Sequence, residues 1–201
     1  MKYTFNPEDL TKERSLYDVY KLTKKIKVNS FDFYFTLLLV ILLSINAFCL
    51  SSSPELISSI RQWTPLVFGF TTTTLGFLIT GFTIFATINK PELFLSLMEY
   101  KHPLYGISYL KYVYGVFMRV FIYFIFWSVI YLLILLFGQE NGLATKLLRA
   151  LMFSHCTKVV GVQILYILVG SSAVFLVLTL KTFLFNIYAM LMQSLRWEVE
   201  R

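Results

Sequence analysis

Apolar positions in this chain gather into four long runs, at residues 31–50, 63–88, 113–137 and 159–180. Charges and most prolines collect in the shorter segments outside them. Each run has about the 20 residues an α-helix needs to cross roughly 30 Å of hydrocarbon, and few charges interrupt them. The pattern predicts an all-α polytopic membrane protein: four transmembrane helices with short cytoplasmic amphipathic helices and both termini cytoplasmic. Residues 1–30 form a basic amphipathic helix in this reading, and residues 31–180 the transmembrane domain with an interfacial elbow at 89–112. Residues 181–201 form a helical extension.

The shorter segments carry helical signals of their own. Asn6-Pro7-Glu8-Asp9 reads as a helix start, with Asn6 as N-cap, Pro7 in the first turn and acids at the positive dipole end. One helix from there to about Val28 would crowd Lys21, Lys24, Lys25 and Lys27 at its membrane-proximal end. Such a cluster either anchors on anionic headgroups or docks a soluble partner. The elbow repeats the signal at Asn89-Lys90-Pro91-Glu92, followed by an apolar stripe of Leu93, Phe94, Leu97 and Met98. A helix that short lies in the interface rather than across it, and Tyr100, Tyr105, Tyr109, Tyr112 and Tyr114 suit headgroup level.

The fourth run outlasts a bilayer. No proline interrupts Val159 to Leu195, so one helix would extend about 55 Å at 1.5 Å per residue. Lys181 marks the interface, and beyond it Phe183, Phe185, Tyr188, Met190, Leu191, Met192, Leu195 and Trp197 stay apolar. Exposed apolar surface of that kind marks an interaction site, with other copies of the chain or with another protein. The docking candidates are Lys21, Lys24, Lys25, Lys27, Phe94, Met98, Tyr188, Met192 and Trp197.

Within the second run, Gly69, Thr73, Gly76, Thr80, Thr83 and Thr87 recur at steps of three and four and share one helix face. Small residues let backbones approach and hydroxyls bond across helices, so this face is either an oligomer seam or the lining of a pore. Arg119 is the one intramembrane charge to weigh as functional. It lies only about 9 Å past Val113 along the helix, so it either snorkels to the headgroups or serves a gate or partner. Cys49 and Cys156 are the only cysteines, and both fall near the outer face: a candidate disulfide or two inert thiols.

Composition sharpens the class. Hydrophobic residues make up 57% and charged residues 14% of 201 positions, against about 45–50% and 25% in soluble domains. Four spans leave no room for a separate soluble domain. The net charge of +7 would suggest nucleic acid in a soluble protein. Here it follows topology, and no direct nucleic-acid binding is expected. Lys2, Lys12, Arg14, Lys21, Lys24, Lys25, Lys27, Lys90, Lys101, Lys111, Lys181, Arg196 and Arg201 fall on one side. Only Arg61, Lys146, Arg149 and Lys158 fall on the other. That bias places both termini inside. The polar first 30 residues lack a cleavable signal peptide's apolar core.

Catalytic signatures are missing. There is no zinc-protease helix motif, phosphate-cradling glycine loop or nucleophile elbow. His102 and His155 are expected on opposite faces, so no shared metal or cofactor is expected. The reading is a protein that is not an enzyme.

One stretch resembles a known group. Thr74-Leu75-Gly76-Phe77-Leu78-Ile79-Thr80-Gly81-Phe82-Thr83-Ile84-Phe85, followed by Lys90-Pro91-Glu92-Leu93, is similar to small four-span membrane proteins of bacterial anti-phage defence systems. The layout looks most like the membrane subunit of the Kiwa system, and membrane accessories of CRISPR systems are a second choice. The likeness covers about one sixth of the chain. It implies a homo-oligomer, a tetramer, in the bacterial inner membrane that senses membrane perturbation and recruits a soluble effector at its cytoplasmic face. The expected function is a non-catalytic scaffold or sensor in antiviral defence. The alternative is a homo-oligomeric pore that depolarises the membrane.

Overall fold

The computed structural model describes residues 5–24, 26, 29–88, 90–139, 142 and 155–200. Regular structure among them is helical, apart from an isolated antiparallel bridge between Lys101 and Ser108. The α-helices are α1 (Leu16–Thr23), α2 (Ser30–Ile45), α3 (Ser53–Ile88), α4 (Pro91–Glu99), α5 (Tyr109–Phe137) and α6 (His155–Glu200). Four stretches are long and apolar enough to span: Ser30–Leu50, Ser53–Thr87, Tyr109–Phe137 and Cys156–Val199. The chain is a multi-pass membrane protein.

The arm before α2 differs from the single helix expected. Asn6 does cap a helical turn, accepting from the Glu8 amide at 3.2 Å, but that turn is a short 3₁₀ segment, Pro7–Thr11. A new helix then begins at Leu16 because Ser15 and Asp18 form a capping box. The Asp18 amide donates to Ser15 Oγ at 3.1 Å, and the Ser15 amide returns a bond to Asp18 Oδ2 at 3.1 Å. The Ser15 hydroxyl, helped by the Arg14 amide, holds the Asp18 carboxyl below its ordinary range. A depressed carboxylate contributes above its unfolded pKa, about 3.9, and loses that contribution as pH falls through the folded value. Amide exchange at the start of α1 should therefore rise only on acidification into that range. Asp18→Asn should flatten the dependence, and a profile unchanged by that substitution would assign the effect elsewhere.

Helix α2 starts on Asn29, whose side chain accepts from the Phe31 amide at 3.1 Å. It ends in a π turn, Asn46–Leu50, closed by the Ser51 amide on the Asn46 carbonyl at 3.0 Å. Only Ser51 and Ser52 separate that turn from α3. Helix α3 begins ten residues before the second apolar run and carries Pro65 inside it. Arg61 and Gln62 lower the hydropathy there without stopping the helix. Helix α6 is continuous for 46 residues, about 69 Å, which exceeds the roughly 30 Å of a hydrocarbon core.

The residues form two compact units. One comprises Asn29–Thr74 and Phe124–Leu178. Its buried centre is Ala47, Leu56, Ile60 and Tyr166, with Leu43, Trp63 and Ile134 packed around them. Several polar groups inside it are paired, although the buried Ser128 hydroxyl is not: Asn46 Nδ2 donates to Tyr166 Oη at 2.8 Å, and Gln163 Nε2 donates to the Ala47 carbonyl at 3.0 Å. Tyr131 Oη and Ser172 Oγ share a hydrogen bond of 2.7 Å. Gly170 admits α2, since a Cβ there would come within 2.8 Å of Leu43 Cδ1. Where water is absent, such pairings decide helix register.

The other unit comprises Met1–Val28, Leu75–Tyr123 and Thr179–Arg201. Its core is aromatic. Phe117 lies 5.4 Å from Phe85 and 5.3 Å from Phe183, ring centre to ring centre, and Phe82 meets Tyr114 and Phe121 edge-on at 5.6 Å. Edge-to-face rings at these separations add to the burial itself.

Candidate docking site

Three residues on one face of α5, spaced four apart, hold the N-terminal arm. Lys111 Nζ lies 2.8 Å from both carboxylate oxygens of Glu13. Gly115 faces α1, where a Cβ would stand 3.1 Å from Thr23 Cγ2 and 3.4 Å from Leu22 Cδ2. Arg119 Nη1 donates to the Ile26 carbonyl at 2.9 Å. A cation at each end and a glycine between them let a short helix lie directly on the backbone of α5. Helical periodicity brings positions 111, 115 and 119 to one side.

This placement settles Arg119. Its side chain is not extended to solvent: the residue is 9% exposed, and it donates to the backbone of the arm. It positions a neighbouring segment. Ile26, which offers the carbonyl, is itself buried. Asp32 is buried in the first turn of α2.

The other candidates separate into displayed and used. Lys21 and Lys24 are exposed, together with Leu16 at 59% and Tyr17 at 72%. Lys25 and Lys27 lie outside the described residues. Met98 is buried, and Phe94 packs on Tyr114 at 5.7 Å, so these two serve the interior of their own unit. Trp197 is half-buried and lines a cavity of about 580 Å³ with Leu93, Tyr109 and Arg196. Tyr188 and Met192 stay exposed on α6. Gly69, Thr73, Gly76, Thr80, Thr83 and Thr87 are all exposed, and neither Gly69 nor Gly76 has any neighbouring atom near its Cβ position. Thr80 and Thr83 turn their hydroxyls back to the Gly76 and Ile79 carbonyls at 3.0 and 2.9 Å, the self-satisfying geometry open to threonine in a helix.

Cys49 and Cys156 are free and exposed, which corrects the candidate bridge. The tyrosines of the elbow also do more than meet headgroups. His102 sits among Tyr105, Tyr109 and Tyr112, with its ring centre 4.3 Å from that of Tyr112. No group of three or more metal-ligating side chains occurs among the described residues.

One feature escaped the sequence reading, and a second was read as an apolar projection without its heptad register. Lys111 and Gly115 were visible only as one of several basic residues and a glycine in an apolar run. The spacing of Lys111, Gly115 and Arg119 was the available signal. On α6, the residues Phe185, Tyr188, Met192, Leu195 and Val199 fall at alternating steps of three and four. That is a heptad seam, and they are 67%, 59%, 46%, 60% and 87% exposed.

No protein family matches the chain, and neither a curated protein nor a solved structure matches it.

Proposed function

We propose that this protein is a non-catalytic, homo-oligomeric membrane scaffold or sensor that docks a soluble effector, with the N-terminal arm and the end of α6 in the cytoplasm of a bacterium. The observation that carries the reading is the exposed seam on α6. A helix that buries Phe183 and Met190 on one face and shows a heptad of apolar side chains on the other needs a second helix to cover it. A copy of the same chain presents an identical stripe, and closed symmetry makes such stripes self-complementary. Exposed Leu16, Tyr17, Lys21 and Lys24 on α1 supply a mixed apolar and basic surface suited to an acidic partner. The resemblance to anti-phage membrane subunits fits this reading and suggests a tetramer in the inner membrane.

Native mass spectrometry of the protein, purified in gentle detergent with the products of its neighbouring genes, tests it. A homo-oligomer carrying a stoichiometric soluble protein is expected. Lys21→Glu with Lys24→Glu should release that protein and leave the oligomer whole. A monomer, or an oligomer that keeps its partner after charge reversal, would refute the corresponding half of the proposal.

A second reading, a depolarising pore, is favoured by the open Gly/Thr face of α3. It requires that Thr80→Val with Thr83→Val abolish a measured conductance. Unchanged ion flux removes that face from any pore.

A further inference from the structure

Beneath the N-terminal arm, between it, α4 and α5, lies a cavity of about 400 Å³, within the size range of small-ligand sites. Its wall is apolar: Leu10, Val19 and Leu22 from the arm, Phe94 and Met98 from α4, and Met118 from α5. Gly115 lies at its edge, where its bare backbone lets α1 close down on α5. Water gains few polar partners in such a space, whereas flexible, polarisable methionines adapt to a variable apolar guest. Among the described residues, the charged groups lining it are Glu13 and Lys111, which bind each other.

We propose that this cavity holds one acyl chain of an anionic phospholipid from the surrounding bilayer, with the lipid phosphate taking the place of Glu13 on Lys111. Three observations point to that occupant. The α5 side of the cavity, from Leu110 to Met118, belongs to the stretch Tyr109–Phe137, which is long and apolar enough to span a bilayer, so the cavity lies on an element that lipid chains surround. The rim carries a cation whose present partner is a carboxylate on a separate segment, and a phosphate can exchange for it with the same charge-assisted geometry. Exposed Lys21 and Lys24 on the same arm raise the local concentration of anionic headgroups. Exchange would free Glu13 and loosen one of the three attachments of the arm. This consequence rests on the sensor reading above; the binding does not.

The test is photolabelling in phosphatidylcholine nanodiscs doped with phosphatidylglycerol that carries a diazirine at the end of one acyl chain. Peptide mapping should find adducts on Met98, Met118 or Leu22. Val19→Trp, which fills the cavity from the arm, should lower these about tenfold. Met98→Trp, which fills it from α4, should do the same independently. Adducts on the exposed α2 residues Leu38 and Ile41 should not change in either variant. Lys111→Met should make a phosphatidylcholine probe label the cavity as well as the phosphatidylglycerol probe. Adducts confined to the lipid-facing surface of α2, cavity adducts that survive both tryptophan variants, or equal labelling by the two probes in the unsubstituted protein would overturn the proposal. Monomeric protein that still labels at the cavity would sink the scaffold reading alone.

Discussion

Replacing Gly115 with leucine will release the N-terminal arm from α5. The site has no space for a side chain, since Thr23 Cγ2 and Leu22 Cδ2 already stand 3.1 and 3.4 Å from where a Cβ would be. Forcing extra carbons into such a contact costs about 1–3 kcal/mol. The arm's other attachments are of the same size. The Lys111–Glu13 pair, with side chains 17% and 20% exposed, contributes on the order of 1 kcal/mol. The Arg119 bond to the Ile26 carbonyl, charge-assisted and buried, contributes about 1.5–3 kcal/mol. Overpacking in the middle therefore outweighs one end and rivals the other. Amide exchange across α1 should accelerate about tenfold or more, by the usual conversion of 1.4 kcal/mol per decade. Exchange in α5 and α6 should hold still. Gly115→Ala should have a smaller effect, because the Thr23 methyl need yield only a few tenths of an ångström. If leucine leaves exchange across α1 unaltered, Gly115 is not where the arm is held.

The four spans were legible because lipid selects a blunt property, about 20 apolar residues in a row. The long α6 was legible for the related reason that nothing in its sequence breaks a helix. Other features turn on one or two residues against an apolar background. The early start of α3 was hidden because Arg61 and Gln62 lower the hydropathy, although helix formation tolerates both. The division of the arm was written in Ser15 and Asp18, a capping signal overshadowed by the stronger one at Asn6 and Pro7. The clamp on α5 was not legible from composition at all. A lysine, a glycine and an arginine become one site only when the arm is known to lie on that face. Arg119 shows the difference most clearly: depth along the helix suggested snorkelling, but a backbone carbonyl from a segment 93 residues away in sequence keeps it buried.

The second large effect belongs to α6. Tyr188→Glu together with Leu195→Glu should convert the proposed oligomer to monomers. Both side chains are 59–60% exposed in the single chain, so neither substitution disturbs the fold of one copy. In a heptad seam both would occupy the same class of core position, where knobs enter holes. Each glutamate would remove an apolar contact worth about 1.5–3 kcal/mol when fully buried and place like charges opposite each other across a symmetric interface. Two such losses per chain weaken association by about a thousandfold or more. Sedimentation in detergent reads the result directly. The same pair introduced at exposed Leu38 and Leu42 of α2 controls for general effects of added charge on a lipid-facing surface. Assembly that tolerates the α6 glutamates would move the interface elsewhere, with the Gly/Thr face of α3 next to be tested.

The two-serine joint between the π turn and α3 bears on how the protein is made. A joint so short gives α2 and the start of α3 no freedom to enter the bilayer one after the other at leisure. Its backbone is already satisfied locally, by Ser51 on Asn46 and by Ser52 on Glu55, as any segment passing through hydrocarbon must be. The first basic residue beyond the joint is Arg61. Between Lys27 and Arg61 the ribosome therefore delivers a hairpin with two acids and no cation, which the insertion machinery can move into lipid as a single piece.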